Sequence, residues 1–258
     1  MLNRYVYPDR RSYNKGINGI ICPKCFPPLD GSRAGDYYFN ESIHIFINVR
    51  QQGSAARKGV IMKILLVGGF LGSGKTSVIL KLAHHMIEDL GISNIVILEN
   101  EIGEISVDDK VLAGAGYQVR GLFAGCVCCT LAGELPSSVK QIERDINPDW
   151  IIMEATGVAF PYSIKENLSR SLGMECHIVC LADAKRWKRL YNAMANLLEY
   201  QLRDADLILV NKADLVDEAT LAEVEEMIRG LNDTAKIVAT CANEAIPLDL
   251  MDEIMGKE

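Results

Sequence analysis

The residues with the clearest chemical signature are Gly69, Gly72, Ser73, Gly74, Lys75, Thr76 and Ser77, inside the run KILLVGGFLGSGKTS that spans residues 63–77. Glycines and small side chains let successive backbone N–H groups wrap a polyphosphate. In that setting Lys75 reaches the β and γ phosphates, the Thr76 hydroxyl binds Mg²⁺, and the N-terminus of the following helix adds partial positive charge. A second constellation, Asn211-Lys212-Ala213-Asp214, follows the apolar run Leu207–Val210. The Asp214 carboxylate can accept both N1–H and N2–H of guanine, which adenine does not offer. Asn211 is expected to read the other edge of the base, and the Lys212 stem to lie along the ring. A site built on paired hydrogen bonds rejects the wrong base because its own groups are then left unpaired. The two motifs together specify GTP with Mg²⁺, and Cys241, in Thr240-Cys241-Ala242, is placed to close over the base.

Three further groups could take part. Glu154 ends the apolar run Trp150–Met153 and precedes Ala155-Thr156-Gly157, so it can act through Mg²⁺ or its waters while Gly157 approaches a γ-phosphate. Lys75 and Glu154 are therefore the candidate catalytic residues. Glu99, Glu101 and Glu104 lie within six residues after the strand-like Ile95–Leu98, and fit metal ligands and switch residues or a charged loop equally well. Cys126, Cys128 and Cys129 put three thiols into four positions beside Gly125. Such a cluster suits a soft metal ion, Zn²⁺ first and Co²⁺ or Cu⁺ after it, with thiolate redox chemistry as the competing use. Cys176, Cys180 and Cys241 are dispersed on strands or at their ends and read as structural thiols. Cys22 and Cys25 form half of a zinc knuckle without a second pair nearby. His84 and His85 are adjacent on a helix, about 100° apart, and so do not share a metal easily.

These residues need elements to hold them. Apolar runs at 64–67, 95–98, 117–122, 150–154, 177–181, 207–210 and 235–239 read as strands. Helical spacing marks 75–90, 133–146, 184–203, 221–228 and 248–254. Alternation of the two types predicts an α/β fold, a three-layer sandwich on a mostly parallel sheet, with the motifs on loops after the strands' C-terminal ends. Residues 1–61 show no sustained periodicity beyond a short alternation at 43–49. They are expected to be a disordered leader, with Met62 as the true start and 62–258 as the nucleotide-binding domain.

Composition excludes several classes. The 258 residues are 49% hydrophobic, enough for one substantial core, but no run approaches the ~18 apolar residues of a membrane span. The N-terminus lacks the apolar centre of a secretion signal, so the cytoplasm is expected and the eight cysteines are read as free thiols or metal ligands. Net charge is −7. Residues 1–61 carry nine Lys/Arg against four Asp/Glu, which leaves eighteen against thirty for the rest. A domain near −12 is a poor partner for nucleic acid or anionic lipid.

With GFLGSGKT, ENEIGEISVDD, the GCVCC loop, EATG and NKAD in this order, the chain resembles the CobW-type branch of the CobW/HypB/UreG metallochaperone GTPases. That resemblance, which covers Met62 to about residue 245, implies a P-loop NTPase of the SIMIBI class that acts as a GTP-dependent homodimer. By position it implies Cys126, Cys128 and Cys129 as thiol ligands of the transferred metal, with Glu99 and Glu104 near them. Thr76 with Glu101 or Glu154 would serve Mg²⁺. The implied function is a slow GTPase that delivers zinc or cobalt to a client metalloprotein or cofactor pathway. The alternative is a GTP-dependent activator of a corrinoid or other cofactor enzyme without metal transfer. Against the branch, the usual C-terminal domain is expected to be missing from this chain, and the sequence shows no histidine-rich stretch.

Overall fold

Parallel strands covered on both sides must be apolar on both faces, and the strand that leads into the glycine-rich loop shows how this chain achieves it. In β2 (Lys63–Gly69), Ile64 and Leu66 pack into one core while Leu65 and Val67 pack into the other, as the two-residue period of a strand requires. The computed structural model describes residues 44–48, 62–92, 94–99, 119–120 and 135–257, all within one compact unit, Phe39–Glu258.

Seven more strands join β2: β1 (His44–Asn48), β3 (Ile95–Glu99), β4 (Val119–Arg120), β5 (Trp150–Glu154), β6 (Cys176–Asp183), β7 (Leu207–Asn211) and β8 (Lys236–Ala239). Their order is β4-β1-β3-β5-β2-β6-β7-β8. From β3 to β8 every neighbouring pair is parallel, whereas β1 runs antiparallel to both β3 and β4. β1 lies upstream of Met62, so the sheet recruits part of the segment expected to be a disordered leader. The short alternation at 43–49 was its only sequence signal.

Helices form the outer layers. On one face α1 (Lys75–Glu88) buries Val78, Ile79, Leu82 and Met86 against Leu65, Val67 and Ile152. On the other, α2 (Leu135–Ile146), α3 (Pro161–Leu172), α4 (Trp187–Leu202) and α5 (Glu218–Arg229) cover Ile64, Leu66, Ile151 and Ile178. α6 (Leu248–Ile254) returns to the first face through Leu250, Met251 and Ile254. The result is the three-layer α/β sandwich on a mostly parallel sheet. α3 was not evident from apolar spacing, although Pro161 at its start and Gly173, left-handed at its end with φ 65°, are helix-boundary residues. α4 begins at Trp187 rather than at residue 184, because Asp183 and Arg186 close a turn first. It is also kinked at Met194, which has φ −154° and ψ 45°. Among the described residues no helix is long and apolar enough to cross a membrane.

Candidate functional site

β2 is flanked by β5 and β6, and its continuation through α1 returns to β3, one strand beyond β5. A connection that skips a neighbour opens a crevice at the C-terminal ends of the strands, the usual place for a ligand in an open α/β sheet. Gly69 ends β2, Gly72 and Ser73 form the turn, and Gly74 caps α1, whose first residues are Lys75, Thr76 and Ser77. Gly74 has φ 103°, and a Cβ there would collide with Nδ2 of Asn211, so neither its conformation nor its surroundings admit a side chain.

Three polar side chains face one another where the helix starts. Lys75 is 6% exposed, and its ammonium lies 3.6 Å from Oε1 of Glu154. The Thr76 hydroxyl donates to Oε2 of the same carboxylate at 3.0 Å. Glu154 thus meets the lysine and the hydroxyl that the sequence assigned to phosphate and metal. A hydroxyl and a carboxylate oxygen side by side are hard ligands suited to Mg²⁺. Close by, the Ser73 hydroxyl is wholly buried, and the Thr156 hydroxyl oxygen is buried too; neither has a hydrogen-bond partner among the described residues. Buried hydroxyls normally find partners, so these two fit a ligand with oxygen-rich groups.

Gly157 contributes through packing as well. A Cβ there would come within 2.7 Å of Leu71 N, so its lack of a side chain lets the loop after β5 pack under the glycine-rich loop. Its carbonyl accepts from Nε2 of the buried Gln201 at 2.6 Å. Gln201 had no motif to announce it.

The second motif is tied to the first. Asn211, 2% exposed at the end of β7, donates from Nδ2 to the Ser73 carbonyl and accepts at Oδ1 from Ala242 N–H, both at 2.7 Å. The second N–H of its amide has no partner among the described residues, while the two bonds brace the loops together. Lys212, left-handed at φ 63°, donates to the Gly72 carbonyl at 2.7 Å and to Asp183 at 2.6 Å. Asp214 sits exposed in the 3₁₀ turn Ala213–Leu215. Ala213 N–H bonds to the Thr240 carbonyl, which holds the partly exposed Cys241 beside that turn. A cavity of about 450 Å³ flanks this loop between β8 and α6, lined by Thr240, Cys241, Val238 and Leu250 among others.

Asp183, at the end of β6, was not anticipated. Its side chain is 1% exposed and accepts from Lys212, from Arg186 Nε at 2.7 Å and from Arg186 N–H at 3.1 Å. Burial by itself would push its carboxyl up, but the Lys212 and Arg186 hydrogen bonds and charges outweigh that and hold it below the usual carboxylate range.

Of the candidate metal ligands, Cys126, Cys128, Cys129, Glu101 and Glu104 lie outside the described residues, as do Cys22 and Cys25. Glu99 ends β3 one position beyond Leu98, which pairs with Met153, so its register position is beside Glu154; its side chain is not among those described. Among the described residues no three of His, Cys, Asp and Glu are grouped to hold a metal. Cys176 and Cys180 are buried, and burial pushes both thiols up to about 12, which suits packing rather than ligation. His84 is exposed, whereas His85 is buried with Nδ1 2.7 Å from Asp89.

Residues 63–239 match the model of the CobW/HypB/UreG nucleotide-binding domain. The chain belongs to the CobW/HypB/UreG family. It is 29% identical over 204 residues to the zinc chaperone YjiA of Escherichia coli (strain K12), covering 75% of this chain and 61% of that protein. Against the zinc chaperone CobW of a Sinorhizobium species it is 30% identical over 195 residues, covering 63% and 54%. The zinc-regulated GTPase metalloprotein activator 1 of Dictyostelium discoideum is 22% identical over 228 residues, covering 72% and 47%. The chain therefore spans roughly half to three fifths of the length of these relatives. The hydrogenase maturation factor HypB from Archaeoglobus fulgidus shares the fold, with a TM-score of 0.54 at 18% identity over 76% of this chain and 89% of that one.

Proposed function

We propose that this protein binds and slowly hydrolyses GTP and uses the nucleotide state to control a zinc site that serves a client metalloprotein. The observation that carries the nucleotide half is the meeting of both motifs on one loop: Lys75 and Thr76 on Glu154, and Asn211 and Lys212 on the carbonyls of Ser73 and Gly72. Lys75 would hold the β and γ phosphates, and Asp214 would read guanine. Mg²⁺, held by Thr76 with Glu154 close by, would neutralise charge on the phosphates. Glu154 can also orient a water. Apart from Glu154, which already engages Lys75 and Thr76, none of the described residues has an obvious role in activating the attacking water, which supports a slow intrinsic rate.

For the metal, support comes from the thiol triplet Cys126, Cys128 and Cys129 and from the names of the relatives, which favour zinc over cobalt. A γ-phosphate that orders the Glu99–Glu104 loop and the cysteine loop, and releases them on hydrolysis, would turn a firm ion site into a leaky one. Zinc here is cargo. A GTP-dependent homodimer in the cytoplasm, acting on a client rather than on nucleic acid or membrane, completes the proposal.

Asp214→Asn tests the base assignment. Asparagine offers an amide donor where xanthine carries a carbonyl in place of the guanine amino group. The variant should lose GTP affinity at least about tenfold and gain affinity for xanthosine triphosphate in calorimetric titration. Unchanged GTP affinity would remove guanine recognition from this motif.

A further inference from the structure

Between the two motifs lies a cluster that neither accounts for. The buried Asp183 carboxylate receives two cations, and each of them continues to the glycine-rich loop. Lys212 donates onward to the Gly72 carbonyl at 2.7 Å, and Arg186 donates from Nη2 to the Leu71 carbonyl at 2.6 Å. Asn211 takes the next carbonyl, Ser73. Three successive carbonyls are thus held by side chains from the ends of β6 and β7.

A peptide unit is planar and trans here, with C=O and N–H on opposite sides, so fixing a carbonyl also fixes where the next residue's N–H points. Holding the Leu71 carbonyl sets the N–H of Gly72. Holding the Ser73 carbonyl sets the N–H of Gly74. These are donors of the kind a phosphate cradle uses, and Leu71 itself is 69% exposed, with no packed side chain to fix that peptide. The turn bond from Ser73 N–H to the Phe70 carbonyl closes the loop on its inner side but leaves the Leu71 carbonyl to Arg186.

We infer that Arg186 is a positioning residue for the phosphate loop, and that Asp183, by holding Arg186 and Lys212 on one carboxylate, ties the geometry of that loop to the lysine beside the base. Arg186 need not touch the nucleotide. It acts through the Leu71–Gly72 peptide, and its charge is retained next to the loop by Asp183. Lysine in its place could keep the charge but not both hydrogen bonds, because the Nε and Nη2 donors are separate arms of a rigid fork. This inference rests on the proposal that the chain binds a guanine nucleotide.

The test separates phosphate from base. Binding of guanosine, GDP and a non-hydrolysable GTP analogue, each with Mg²⁺, is measured by calorimetry for the full chain and for Arg186→Ala, Arg186→Lys and Asp183→Asn. In Arg186→Ala, GDP and the GTP analogue should each weaken about tenfold, the scale of one lost charge-assisted hydrogen bond, while guanosine stays within about twofold. Arg186→Lys should recover only part of the loss. Asp183→Asn should weaken guanosine as well, since it also releases Lys212. The ³¹P resonances of bound GDP should shift in Arg186→Ala, a signature that a merely packing role would not produce. Arg186 is 30% exposed, so its truncation is compatible with folding, and retained guanosine binding is the internal check. Equal losses for guanosine and GDP, or no loss for either, overturn the inference. A wild-type chain that binds none of the three overturns the guanine-nucleotide proposal itself.

Discussion

Asn211→Ala is the sharpest probe of how the two motifs depend on each other. The side chain is 2% exposed and makes two buried hydrogen bonds of 2.7 Å, to the Ser73 carbonyl and from the Ala242 N–H. Truncation leaves one buried acceptor and one buried donor unpaired, each costing about 1–3 kcal/mol. Partial relaxation of the two loops, both of which end at the surface, offsets some of this, so a net loss of about 2–4 kcal/mol is expected. For a domain of this size that corresponds to a melting temperature roughly 5–15 °C lower. Asn211→Asp sharpens the test: it keeps the acceptor for Ala242 N–H but sets an oxygen against the Ser73 carbonyl, and should be at least as destabilising. Urea unfolding followed by far-UV circular dichroism gives the free energies, and calorimetric titration with GTP gives the functional cost. If Asn211→Ala stays within about 0.5 kcal/mol of the wild type and keeps its GTP affinity, the brace is not an energetic link and the reasoning fails.

Three other outcomes follow from the same geometry. Gly74→Ala forces a side chain onto a residue at φ 103° and against Asn211, so it should lower stability by about 1–3 kcal/mol and GTP affinity at least about tenfold, measured by urea unfolding and calorimetry. The Asp183 carboxyl is held below its ordinary range, so its stabilisation is present above the unfolded value of about 4 and is lost as the pH falls through the depressed folded value. Urea midpoints should fall on acidification below about pH 4 in the wild type, and the slope should flatten in Asp183→Asn. Finally, Cys176 and Cys180 should resist alkylation of the native protein at neutral pH while Cys241, partly exposed, reacts, as read by peptide mass spectrometry.

The strand, glycine-rich turn and helix around Lys75 were legible in the sequence because their signals are local. Gly74, Lys75 and Thr76 fall within a single turn, and the apolar runs beside them fix the strand and the helix. Asn211 and Lys212 were legible as a motif, but their bonds to Ser73 and Gly72 cross about 140 positions and appear only when β2 and β7 are placed on either side of β6. Asp183 and Arg186 escaped notice for a related reason: an acid at a strand end is common, and what distinguishes this one is two cations arriving from separate elements. Gln201 is similar, a single amide in α4 whose partner is a carbonyl in the loop after β5. α3 was missed because its apolar face is thin, with only Pro161, Ile164 and Leu168 buried. β1 is a strand that pairs at the antiparallel margin of the sheet, and five residues of alternation in a polar stretch do not separate it from the surrounding chain.

The central claim of the proposed function is that the guanine site and the thiols of Cys126, Cys128 and Cys129 are coupled. Zinc affinity of the full chain, determined by competition with a chromophoric chelator in the presence of Mg²⁺, should differ at least about tenfold between a GTP analogue and GDP, a coupling of about 1.4 kcal/mol. The difference should vanish in Cys128→Ser. Equal zinc affinity in both nucleotide states, or a nucleotide effect that survives Cys128→Ser, would contradict it.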